Sequence, residues 1–189
     1  KHSGIIVYPT GMLETSKAKS FNKEKYILSV GRFFVGGHSK KQLEIAQAFK
    51  EILAENPQFH DWKLILIGSL DATREQDKDY FISIKNLLIG SNFTMIPNAD
   101  KKTLTDYYNK SYIYVHATGL GESIDSPEKH EHFGITPLEA MTFGCIPIVY
   151  HVGGPADLIR KFQVGYTFKT ADELKNKIIE LSIQIIDLL

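Results

Sequence analysis

The sequence predicts an α/β fold, a doubly wound parallel sheet. Three observations predict it. Short β-branched runs alternate with amphipathic segments. The glycine-rich and polar stretches follow predicted strands, where open α/β sheets bind ligands. The length of 189 residues suits a single domain with a sizeable core, so residues 1–189 are read as one unit.

The predicted strands are Gly4–Val7, Tyr26–Val30, Lys63–Ile67, Phe93–Ile96, Tyr112–His116, Ile146–Val149 and Gly165–Phe168. Between them, Lys41–Glu55 sets Leu43, Ala46, Phe49, Ile52 and Leu53 at helical spacing, and Asn56-Pro57 ends the run. Gln76–Ile89 repeats the pattern with Phe81, Ile84, Leu87 and Leu88. A shorter helix, Lys101–Asn109, follows Asp100 as N-cap, and a last one starts at the capping-box sequence Thr170-Ala171-Asp172-Glu173. Three loops hold the chemistry: Gly31–Ser39, Thr118–Glu131 and Val152-Gly153-Gly154-Pro155.

Composition narrows the function classes. The apolar share of 43% and charged share of 23% are those of a globular protein. A formal net charge of zero gives no overall field for nucleic acid or anionic lipid. The single cysteine, Cys145, excludes an internal disulfide framework and points to the cytoplasm; it is read as a core residue. Apolar runs such as Leu64–Ile67 are too short to cross a bilayer, and no secretory leader is visible. The start lacks methionine and the end, Ile178 to Leu189, stays apolar and periodic, so the chain is expected to be a piece of a longer protein.

The segment Glu131-His132-Phe133-Gly134-Ile135-Thr136-Pro137-Leu138-Glu139 reads as a helix start, with Thr136 at N-cap, Pro137 at N1 and Glu139 at N3. A helix amino end offers unpaired N–H groups to a phosphate, and Gly134 permits close approach. By local physics alone, Glu139 serves equally as a capping residue and Gly134 as a turn.

The whole segment resembles the Glu-x7-Glu signature of the retaining glycosyltransferases of the GT-B fold, in the large family 4 group, with Glu131 and Glu139 as its glutamates. Ala140–Val149 resembles the helix-turn-strand that follows, and Val152-Gly153-Gly154-Pro155-Ala156-Asp157-Leu158-Ile159 resembles the family's Gly-Gly turn and next helix. Upstream, Val30-Gly31-Arg32 resembles its Gly-Arg element. The lysine that usually follows closely is displaced: Gly37 stands at the common spacing, and counting back from Ala48-Phe49 selects Lys40 over Lys41. The loop Phe33–Ser39 is the insertion that causes this departure.

The resemblance implies a Rossmann-like C-terminal half of a GT-B glycosyltransferase that binds a nucleoside-diphosphate sugar as donor. Transfer of a hexose with retention would go to a hydroxyl of a glycan or lipid acceptor, with an N-terminal acceptor domain missing here and peripheral membrane association open in the longer protein. It implies that Arg32 and Lys40 hold the diphosphate, Glu131 the donor sugar and Glu139 the ribose. It further implies donor contacts at Gly31, His132, Phe133, Gly134, Ile135 and Thr136, and base recognition near Ile96 and the loop after Gly68. A departing diphosphate needs its developing charge stabilised rather than a proton, so Glu131 and Glu139 are not read as a glycosidase acid–nucleophile pair. His130, His132, His116 and His151 invite a metal reading, but no second clustered ligand set stands at zinc spacing, and no metal or other cofactor is expected. The alternative is a non-catalytic nucleotide-sugar-binding or scaffold module on the same fold. The loop 118–131 reads either as a solvated loop or as a lid.

Overall fold

The computed structural model describes residues 22–187, so the strand expected at Gly4–Val7 lies outside the described residues. Six strands form one sheet, all parallel, in the order β3-β2-β1-β4-β5-β6. They are β1 (Glu24–Val30), β2 (Lys63–Gly68), β3 (Phe93–Pro97), β4 (Ser111–His116), β5 (Ile146–Tyr150) and β6 (Tyr166–Phe168). The order turns from descending to ascending between β1 and β4, and the carboxyl ends there open the crevice where such sheets bind ligands.

Period-two alternation divides each strand between two apolar layers. Ile27, Leu64, Leu66, Ile113, Val115 and Ile148 face one way, toward α1 (Gln42–Glu55), α2 (Glu75–Leu87) and α6 (Ala171–Ile186). Leu28, Val30, Ile65, Ile67 and Tyr114 face the other way, against α3 (Lys101–Lys110) and α4 (Ile135–Thr142). Val149 packs on that second side against Ala156 and Ile159 of α5 (Gly154–Phe162). Helices on both faces explain why the central strands read as continuous apolar runs.

The helix limits agree with the expected ones to within two residues, and the caps explain where they fall. Asp100 accepts from Thr103 N at 2.7 Å, and Thr170 Oγ1 accepts from Glu173 N at 3.1 Å. Glu173 reaches back to Lys169 N at 2.7 Å, one residue before the cap, so the box is displaced. The inner face of α1 differs from the expected one: Ile45 is fully buried and Leu43 only partly. Cys145 is buried, and burial raises its thiol to about 11 although the Lys23 ammonium opposes this. Among the described residues no helix is long and apolar enough to cross a membrane.

Candidate donor site at the sheet crevice

The site begins with the end of β1. A Cβ on Gly68 would lie 1.8 Å from Gly31 O, so only glycine lets the two strand ends cross. Gly31 is equally confined, because its Cβ would lie 2.4 Å from Lys40 Cγ. The Lys40 stem therefore rests on Gly31 and aims its ammonium along the crevice. The carbonyls of Gly31 and Arg32 both accept from Gln42 Nε2, at 3.0 and 2.9 Å. Gln42 is 1% exposed, and its other amide atom accepts from Tyr80 OH at 3.3 Å. A polar residue on the inner face of α1 is thus consumed in fixing the Gly31–Arg32 turn.

Lys40 Nζ meets Glu131 Oε2 at 2.6 Å, and His116 Nε2 stands 3.3 Å from the same oxygen. The latter pair is outside hydrogen-bond alignment, and among the described residues His116 Nε2 has no hydrogen-bond partner despite being buried. Burial holds His116 below its ordinary value against the pull of Glu131, so the ring is neutral at pH 7. Burial likewise favours the protonated form of Glu131, but His116 and Lys40 outweigh it and hold the carboxyl well below the usual range. We assign most of that depression to Lys40, since the His116 ring is uncharged where both groups face each other.

The Gly153-Gly154 turn fixes the backbone of Glu131. Gly154 N donates to Glu131 O at 2.9 Å. A Cβ on Gly153 would lie 2.3 Å from Glu131 O, and one on Gly154 would lie 2.0 Å from His132 O. Gly153 also has φ 98 and ψ −179, a region essentially reserved to glycine. Glu131, His132 and the Gly153-Gly154 turn line a cleft of ≈ 350 Å3 with Ile124, Phe133 and Val152, Phe133 being 60% exposed.

The helix start differs from the one the sequence suggests. Gly134, not Thr136, is the N-cap of α4, with φ 72 and ψ 52, and its Cα packs on Pro155. Thr136 is inside the helix, where its Oγ1 accepts from Tyr114 OH at 2.7 Å. Glu139 consequently lies too far along to close a capping box; it is 5% exposed, and Oε2 accepts from Tyr108 OH at 3.3 Å. The left-handed turn at glycine starts the helix early because no side chain opposes it. Among the described residues the amides of Ile135 and Thr136, at the positive end of α4, donate to no protein acceptor.

Of the sequence-predicted residues, Gly31, Lys40 and Glu131 meet directly. Arg32 is the exposed neighbour of Gly31, its guanidinium 5.1 Å above the Phe34 ring. Ile135, Thr136 and Glu139 line up along α4, which Tyr114 ties to β1 through Val30 O at 3.3 Å. Ile96 sits on β3, opposite Ile67 and beyond β2, apart from this group. His132 Nε2 is engaged by Pro127 O at 3.0 Å, and its ring meets His38 edge-on. Among the described residues no three His, Cys, Asp or Glu side chains gather as a metal site.

Gln42, Tyr108 and Tyr114 escaped the sequence reading as site residues, and His116 entered it only as a metal-ligand candidate. Gln42 was detectable as a polar residue on the apolar stripe of α1. Tyr114 and His116 share one face of β4 by period two, with rings stacked at 6.5 Å.

Comparison with known proteins agrees with this fold. The family described as "Glycosyl transferases group 1" matches residues 13–184. The alpha-1,3/1,6-mannosyltransferase ALG2 of Saccharomyces cerevisiae is 24% identical over 85% of this chain and 36% of its own length. Its counterpart from Kluyveromyces lactis is 27% identical over 73% of this chain and 29% of its own length. The chain thus spans about a third of the curated relatives it matches. Among solved structures, the C-terminal domain of the group 1 glycosyl transferase LpcC from Francisella tularensis superposes with TM-score 0.62 at 21% identity, covering 87% of this chain and 83% of that one. An E. coli structure described as trehalose-6-phosphate bound with UDP-2-fluoro glucose gives 0.64 at 15% identity, over 83% of this chain and 36% of that one. With this fold and a family match over most of its length, the chain belongs to the group 1 glycosyl transferases and has the architecture of their GT-B C-terminal domain.

Proposed function

We propose that this domain binds a nucleoside-diphosphate sugar and, in a longer protein, passes a hexose with retention to a hydroxyl of a glycan or lipid acceptor. Mannose is the sugar adopted here, since the named relatives are mannosyltransferases. The reading is carried by one observation: Lys40 Nζ meets Glu131 Oε2 at 2.6 Å, and beside them Tyr114 of β4 ties the first turn of α4 to the end of β1 through Thr136 Oγ1 and Val30 O.

In this reading Arg32, Lys40 and the amides of Ile135 and Thr136 neutralise the pyrophosphate, with no metal required. Lys40 leaves Glu131 for the phosphate, and the freed carboxylate accepts from hydroxyls of the sugar. Glu139 takes the ribose hydroxyls, exchanging its bond from Tyr108. Gly31, His132, Phe133 and Gly134 supply backbone at the donor, and Ile96 the wall near the base. The N-terminal domain that closes the cleft and the cytoplasmic setting, with peripheral membrane contact, belong to the same proposal. Membership of the group 1 glycosyl transferases favours an enzyme over a non-catalytic binding module.

A thermal-shift panel of UDP, GDP, ADP and their sugars tests it. One of these should raise the melting temperature in step with concentration over dissociation constant. Arg32→Ala should abolish the rise without lowering the unliganded melting temperature. A panel without any specific binder would overturn the reading.

A further inference from the structure

Lys40 and Lys41 are consecutive, yet their ammonium groups close two different contacts. Lys40 Nζ holds Glu131 Oε2 at 2.6 Å, while Lys41 Nζ holds Glu122 Oε1 at 2.8 Å. The backbone explains the divergence. Lys41 is left-handed, φ 55 and ψ 37, as the residue that starts α1. A non-glycine residue adopts that conformation at a cost.

The segment reached by Lys41 is a closed loop. Its ends touch, since a Cβ on Gly119 would lie 2.4 Å from His130 Nδ1. Residues 119–130 therefore form a compact surface loop of the Ω type, and Glu131 is the first residue beyond its neck. Inside it, His130 Nε2 engages Ser123 O at 3.0 Å, and the His130 ring lies parallel to Tyr150. Lys129 Nζ reaches the second oxygen of Glu122 at 3.0 Å. One carboxylate thus joins a cation of the loop to a cation of α1.

We infer that Lys41 and Glu122 are positioning residues, which fasten the 119–130 loop to the start of α1 and so keep Glu131 in reach of Lys40. Exposed ion pairs as a class contribute little. This one differs in having two lysines on one carboxylate and a Lys41 side chain only 15% exposed. Lys41 and Lys129 together hold the Glu122 carboxyl at about 2. The value of this arrangement for sugar transfer rests on the proposed donor site. The placement of Glu131 does not, and the test reads it in the unliganded chain.

The test is a 13C NMR titration of the Glu131 carboxyl in the 189-residue chain, in the unsubstituted protein and in Glu122→Gln, Lys41→Gly and Lys41→Arg. Glycine keeps the left-handed turn while deleting the ammonium; arginine keeps the charge. If the clasp positions Glu131, its midpoint should rise toward the ordinary 4.5 in Glu122→Gln and Lys41→Gly, by about half a unit or more, and stay low in Lys41→Arg. A through-space effect alone gives the opposite sign for Glu122→Gln, because deleting a negative charge lowers a neighbouring carboxyl. A Glu131 midpoint unchanged or lowered in folded Glu122→Gln, whatever Lys41→Gly shows, or unchanged in folded Lys41→Gly, would overturn the inference. The donor panel described above fails or succeeds independently of this titration.

Discussion

Gly153→Ala isolates the contact that sets the backbone of Glu131. The added methyl meets two separate obstacles. The dihedrals, φ 98 and ψ −179, cost an alanine about 1–3 kcal/mol. The methyl would also lie 2.3 Å from Glu131 O, a backbone atom that cannot swing aside, and such overpacking costs about 1–3 kcal/mol. Together these give a loss of about 4 kcal/mol, or roughly 8–16 °C in melting temperature for a chain of this size. Gly90→Ala is the matched control. Gly90 has φ 85 with no atom within 4 Å of its Cβ position, so only the conformational cost of about 1 kcal/mol remains, roughly 2–4 °C. Scanning calorimetry on both variants measures the difference, and nucleotide affinity should fall in Gly153→Ala alone. Equal melting temperatures in the two variants would refute the idea that the Gly-Gly turn holds Glu131.

Two further perturbations probe the same crevice. Lys40→Ala removes a counter-charge from a carboxyl held below its ordinary value. Such a group stabilises the fold above the unfolded value near 4.5 and loses that contribution as pH falls through the folded one. The variant should therefore lose about 2 kcal/mol at pH 7, the pair being partly buried at 18% and 19% side-chain exposure, with the deficit narrowing below pH ~4. A deficit of the same size at both pH values, by calorimetry, would contradict the assignment. Tyr114→Phe deletes the donor to Thr136 Oγ1 and Val30 O and should cost about 1–2 kcal/mol in chemical denaturation; no loss would show that the hydroxyl does not tie α4 to the sheet.

Much of the fold was legible because its signals are local. The central strands are buried on both faces and so read as unbroken apolar runs, and Asp100 and Thr170 mark helix starts with their own side chains. The start of α4 was misread for an equally physical reason. Thr136-Pro137 carries the residue types of a cap, but a glycine two residues earlier adopts the left-handed turn and takes the role. In the candidate site, Lys40 and Glu131, both named from the sequence, stand in contact. Residues that act by reach across the fold were not legible in the sequence. Gln42 fixes the carbonyls of Gly31 and Arg32, and His116 meets Glu131, only once α1 and β4 are docked beside β1. The loop 118–131 showed one basic partner in sequence, Lys129; the second, Lys41, lies 81 residues before Glu122.

The most direct measurement is a structure of the chain with a bound nucleoside diphosphate. The pyrophosphate is expected against the amides of Ile135 and Thr136, with Arg32 and Lys40 on its oxygens and Lys40 withdrawn from Glu131. A diphosphate bound elsewhere, with the Lys40–Glu131 contact intact, would contradict that expectation.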